Sequence, residues 1–125
     1  VSRLLLCDGD VSTCHGSSGG EGIGTASPVL CGNTHTPRMV AVDGVLICNP
    51  GSAGAPCYRD RSATSHVMEA GSPLACYAIF ERRSTGWAAE TNGVPYDNEI
   101  AARQAEGFGF PAFAHAARTG RIPPG

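Results

Sequence analysis

Gly32-Asn33-Thr34-His35-Thr36-Pro37-Arg38, running on through Met39-Val40-Ala41-Val42, Asp43-Gly44 and Val45-Leu46-Ile47-Cys48, is the stretch on which the reading of this chain turns. Residues 29–31 ahead of it form a short apolar run of the kind a buried strand makes. Residues 39–42 and 45–48 are β-rich runs separated by Asp43-Gly44, the strongest hairpin signal in the chain. A histidine in a tight glycine-containing loop after a buried strand is well placed to bind a metal. The neutral imidazole is a strong ligand, and the strand fixes its direction. His35 is such a residue, and the same position suits equally a loop histidine bonded to backbone carbonyls.

Working outward, residues 3–7 read as a buried strand ending at Asp8-Gly9-Asp10, where Gly and Asp permit a sharp turn. Residues 11–28 are rich in Ser and Gly with little periodicity and read as a flexible loop. Beyond Asn49-Pro50-Gly51-Ser52, polar loop residues run to Met68. A second hairpin is predicted over 75–81 and 86–91, with 82–85 between them and Tyr77, Ile79 and Trp87 as inward anchors. Tyr96-Asp97 opens a helix: Asp97 caps it, Glu99 lies in its first turn, Ile100, Ala101 and Ala105 supply apolar contacts, and Gly107 stops it. A shorter helix is predicted over 111–118, with Gly120 as its C-terminal signal. This order predicts an α/β fold with a mixed sheet and two late helices on its outer face.

A length of 125 residues with 42% hydrophobic content bounds the chain to one domain or part of one. The net charge of -2, with nine Arg and no Lys spread along the sequence, makes no basic stripe for a nucleic-acid backbone. No run approaches the roughly 20 apolar residues that span a bilayer, and residues 1–6 are too short for a signal-peptide core, so a cytoplasmic protein is expected. Four of the six cysteines sit in or next to apolar runs and read as buried free thiols that pack as small hydrophobes. The start at Val1 rather than Met raises the expectation of a longer N-terminal part.

Four segments, in order, carry a resemblance: Thr34-His35-Thr36-Pro37-Arg38; Asp43-Gly44-Val45-Leu46-Ile47-Cys48-Asn49-Pro50-Gly51-Ser52; His66-Val67-Met68-Glu69-Ala70-Gly71-Ser72-Pro73; and Val94-Pro95-Tyr96-Asp97. Together they resemble the C-terminal half of the calcineurin-like metallophosphoesterases of the small bacterial phosphodiesterase type, over about residues 29–120. The resemblance implies a four-layer α/β/β/α sandwich, of which residues 1–125 would be a single incomplete domain. It implies two divalent metals, Mn, Fe, Zn or Ni, at the sheet edge, where a bridging hydroxide attacks a phosphate ester.

In that family the loop reads Gly-His-x-His. His35 matches the ligand of the first metal, and Asn33 replaces the ligand of the second. The last C-terminal ligand is a His-Gly after a strand; either Asp8-Gly9 stands in its place, or a competing alignment uses His15-Gly16-Ser17. The stretch from Asp8 to Leu30 is short for the family, as though a helix were missing. Both substituted ligands would serve the same metal; an Asp oxygen and an Asn carbonyl could retune it toward harder ions, but loss of that metal, leaving one rather than two, is the expectation. The family's remaining ligands, including the bridging carboxylate that lets two cations lie close together, come from an N-terminal half. Phosphodiester hydrolysis is therefore expected to need that complementary half. The alternative is a non-catalytic half-domain that self-associates through the apolar face and strand edges it exposes. A homo-oligomer is expected either way.

Around the loop, Arg38 either meets a phosphate or makes a surface salt bridge. His66 and Glu69 either shape the substrate pocket or form a hydrogen-bonded pair that holds their loop. Cys14 and His15 with Cys31 and His35 match no standard zinc spacing. Asn49-Pro50-Gly51-Ser52 lacks the Gly-Lys-Ser/Thr ending of a P-loop and reads as a turn beside the metal loop.

Overall fold

Parallel pairing at the centre of one sheet sets the architecture. The computed structural model describes residues 5–8, 11–14, 28–61 and 65–124. Strands β1 (Leu5–Asp8), β2 (Val11–Cys14), β3 (Val29–Cys31), β4 (Arg38–Val42) and β5 (Val45–Asn49) form a sheet in the order β1-β2-β3-β5-β4. The three central strands β2, β3 and β5 run parallel, and β1 and β4 flank them antiparallel. Cys14 lies opposite Cys31, and Leu30 opposite Cys48. The carboxyl ends of all three central strands thus reach one edge, from which the loop after Cys31 and the loop after Asn49 emerge. β4 and β5 close through Asp43 and Gly44, both left-handed at φ 49° and 80°, as a two-residue hairpin of this type requires.

Two hairpins and a helix pair follow. β6 (Cys57–Asp60) pairs with β7 (His66–Glu69), and β8 (Ala75–Arg83) with β9 (Gly86–Val94). α1 (Asn98–Gly107) is capped by Asp97, whose carboxylate accepts from the Ile100 amide at 3.3 Å. α2 (Pro111–Thr119) starts on proline, with its fixed φ, and ends at Gly120 in the left-handed conformation. The helices meet along Ala102, Ala105, Ala114 and Ala117, a seam of small side chains that lets the backbones approach closely. Asn98 Nδ2 donates to the Ala117 carbonyl at 2.8 Å, and Arg118 bridges Glu99 and Glu106 across the pair.

The helix pair is tied to the β6–β7 region. The Gly71 amide donates to the Gly120 carbonyl at 3.0 Å, and the Ile122 amide to Glu69 Oε1 at 2.7 Å. A Cβ on Gly120 would sit 2.3 Å from the Ser72 nitrogen, so only glycine fits this crossing. The β8–β9 hairpin is anchored where the Cys76 amide donates to the Ser52 carbonyl at 2.9 Å.

The fold is thus mixed α/β, with small sheets and two helices. Several expectations need correction. β2 lies within residues 11–28, which were expected to be loop, because ladders to β1 on one side and β3 on the other organise Val11–Cys14. The remainder of that stretch, residues 15–27, lies outside the described residues. β6 and β7 occupy what was expected to be loop before Met68, again stabilised by each other rather than by local pattern. Tyr77 and Ile79 are exposed rather than inward, since the half-buried face of β8 carries Cys76, Ala78 and Phe80. Trp87 lies opposite Arg82, whose guanidinium sits 5.9 Å from the indole ring. Ile100 is exposed, because the seam runs through Ala102 and Ala105 instead.

Cys48 and Cys57 are buried free thiols, and burial pushes both above their ordinary pKa, with the Glu69 charge adding to the shift at Cys57. These two pack as small apolar groups rather than nucleophiles. Among the described residues, no helix is long and apolar enough to cross a membrane.

Candidate functional site

The loop from Gly32 to Pro37 leaves the carboxyl edge of β3 with two non-glycine residues in the left-handed region, Asn33 at φ 79° and His35 at φ 56°. Each such residue costs on the order of 1–3 kcal/mol and persists only where its surroundings over-determine it. Here that support is Asn49, the last residue of β5 and only 5% exposed. Asn49 Nδ2 donates to Thr34 Oγ1 at 2.6 Å, and its Oδ1 accepts from the Gly51 amide at 2.9 Å. One buried amide therefore clamps the two loops of the edge together. Ser52 Oγ accepts the Ala55 amide at 2.9 Å and shapes the second loop.

That second loop presents a carbonyl to the histidine: His35 Nδ1 and the Ala55 oxygen are 2.5 Å apart. A carbonyl only accepts, so Nδ1 carries the hydrogen and donates. Nε2 is then left with its lone pair. The same pattern, an imidazole steadied through one nitrogen by a backbone carbonyl, orients metal-binding histidines and raises their basicity.

β6 and β7 supply a wall. In their register Tyr58 faces Met68 and Asp60 faces His66, and the period of two puts all four side chains on one side of the hairpin. The Tyr58 ring meets His35 edge-on, with centroids 4.9 Å apart and planes at 64°, and also meets His66 at 6.0 Å and 75°. His66 Nδ1 lies 3.4 Å from Asp60 Oδ2. Burial, and then the nearby Asp60 charge, hold the Tyr58 phenol above its usual pKa, so it stays protonated through neutral pH.

The structure brings some of the sequence-nominated residues together and separates others. Asn33 and His35 share the loop. Arg38 opens β4 at the same edge, paired in register with Asn49; it is exposed and, among the described residues, has no carboxylate partner. His66 joins the group through Tyr58. Glu69 points to the other side of β7 and holds the Ile122 amide and Arg121, so it does not pair with His66. Asp8 ends β1 opposite Val11, at the far edge of the sheet, about 10 Å along the strands from the Cys31 row. The backbone does not bring it to His35. His15 lies outside the described residues, although Cys14 before it ends β2 beside Cys31, so that alignment does have a strand ahead of it.

Among the described residues, no group of three or more His, Cys, Asp or Glu is placed to hold a metal. One imidazole and one amide are partial ligands, not a complete site. Asn49, Ala55 and Tyr58 were not nominated from sequence as site residues. The alternation Tyr58-x-Asp60 and His66-x-Met68 was the available signal for the wall. Chemically, the edge offers an oriented nitrogen lone pair, an unpaired guanidinium and an aromatic side wall. Comparison with protein families, curated proteins and solved structures finds no match to this chain.

Proposed function

We propose that this chain is a member or remnant of the calcineurin-like metallophosphoesterases, contributing the C-terminal half of a divalent-metal site that acts on phosphate esters. The observation that carries the reading is His35, whose Nδ1 donates to the Ala55 carbonyl and whose Nε2 keeps its lone pair for a ligand bond. Its loop leaves the carboxyl edge of parallel strands, where open α/β sheets place their ligands. In this reading the five-stranded sheet is one of the two central layers of a four-layer sandwich.

His35 and, through its amide oxygen, Asn33 would hold a cation such as Mn, Fe, Zn or Ni. Bound there, such an ion would polarise a phosphoryl oxygen and acidify water. In this reading the described residues supply one ligand position and not the rest, so hydrolysis requires ligands from a complementary half. The chain's own contributions are orientation of the imidazole by Ala55, rigid spacing of the two loops by Asn49, and attraction of the phosphate anion by Arg38.

The test is Mn2+ binding, followed by the Mn2+ electron paramagnetic signal, with hydrolysis of bis(p-nitrophenyl) phosphate measured beside it for the parent, His35→Ala and Asn33→His. The expected result is weak binding in the parent, a gain of at least about 10-fold in Asn33→His, and loss in His35→Ala. Equal Mn2+ binding by the parent and His35→Ala, or none in the parent and Asn33→His, would overturn the reading. A second reading, a non-catalytic self-associating half-domain, is favoured by the exposed phenylalanines of the helix pair.

A further inference from the structure

The helix pair is packed with its small residues inside and its large ones outside. Its seam is built of four alanines, while Phe108, Phe110 and Phe113 are 78%, 63% and 44% exposed. Burying phenylalanines and exposing alanines is the pattern that aqueous folding favours, and here it is inverted. These rings therefore contribute little to holding α1 against α2. They instead line an open groove of about 480 Å³, whose walls are Ala101, Gln104, Ala105, Phe108, Phe110 and Phe113. Ala101, Gln104, Ala105 and Phe108 follow one another at helical spacing along one face of the first helix and its cap.

We propose that this corner is a contact between two copies of the chain, in which Phe108 of each copy enters the groove of the other about a two-fold axis. The patch carries both a projecting ring and a recess walled by rings, and a two-fold contact needs a surface complementary to itself. The area argues for the strength. At roughly 200 Å² per phenylalanine, the three rings leave about 370 Å² uncovered on each copy. A two-fold pair would cover about 740 Å² of ring surface. With the flanking Ile100 and Gln104, this approaches the roughly 1,000 Å² at which specific contacts begin.

A contact of this size falls below obligate interfaces, so a dimer that exchanges with monomer in the micromolar range is expected. The inference rests on the helix pair alone and does not depend on the phosphoesterase reading.

Sedimentation velocity between about 5 and 200 µM, the concentrations at which a micromolar dimer dissociates and forms, tests it on the purified chain without metal. The variants are Phe108→Glu and, as a control on the other exposed apolar face, Ile79→Glu. Phe108 lies beyond the last residue of α1 and its ring is exposed, so Phe108→Glu should leave the far-ultraviolet dichroism of the helices unchanged. The expected result is a monomer–dimer shift in the parent and in Ile79→Glu, and a monomer throughout in Phe108→Glu. A monomeric parent at the highest concentration would overturn the proposal, leaving the groove to some other partner. A Phe108→Glu protein that still dimerises like the parent, or an Ile79→Glu protein that does not dimerise, would overturn it as well.

Discussion

Gly51 sits at φ +94°, and a Cβ there would lie 2.8 Å from Pro37 Cγ and 2.9 Å from Cys76 Cβ. Gly51→Ala combines a left-handed penalty of roughly 1–2 kcal/mol with a collision in packed surroundings. A total loss of about 2–4 kcal/mol is expected, read as a lower urea midpoint. Asn49→Ala should be comparably damaging, because it strands the Thr34 hydroxyl and the Gly51 amide, each worth about 1–3 kcal/mol when left unsatisfied. Its second signature is a weaker response of stability to Mn2+, measured as the rise in melting temperature on adding the metal. His35 was legible at this scale from its type and its place after a strand. The role of Asn49 was not, because an Asn-Pro-Gly-Ser turn looks the same whether or not its amide reaches a second loop. Nor could the sequence say that Nδ1 of His35 meets Ala55, a contact across 20 residues that exists only once both loops are closed.

The helix pair makes a pH-dependent prediction. Side-chain hydrogen bonds from Arg118 are the first cause holding the Glu99 and Glu106 carboxyls below the ordinary 4.5, with the charges of Arg118 and Arg103 helping and desolvation opposing. Arg118 is shifted upward in return and stays charged. A carboxyl depressed in the folded state stabilises fully above its unfolded pKa and loses that contribution as pH falls through the folded one. The stability difference between the parent and Arg118→Met should therefore be constant near neutral pH and shrink below about pH 4.5. Thermal midpoints across that range would show it. The groups are exposed, so the difference should be small and should fall with added salt. Both helices were legible from Asp97, Pro111 and Gly120, local signals that need no distant partner. β2, β6 and β7 were not, since each is a four-residue strand organised by its pairing with other strands rather than by local pattern. The inward face of the β8–β9 hairpin was misread for a related reason. Alternation marks two faces, and the larger side chains, Tyr77 and Ile79, lie on the exposed one.

Over the whole molecule, the described sheet, hairpins and helix pair are joined through single contacts, among them the Gly71 amide on the Gly120 carbonyl, the Ile122 amide on Glu69 and the Cys76 amide on the Ser52 carbonyl. The mixed α/β class and the late helices were legible from element order, while the way the pieces touch was not, since it depends on single contacts such as Gly120 against Ser72. That contact also bears on the timing of synthesis. Ile122, which binds Glu69, follows it by 53 residues. At about 5–20 residues per second, the ribosome delivers the closing piece roughly 3–10 s after β7 has been made. During that interval the β6–β7 strands wait without their clasp, and a chaperone that shields them would matter most to this protein while it is still being translated.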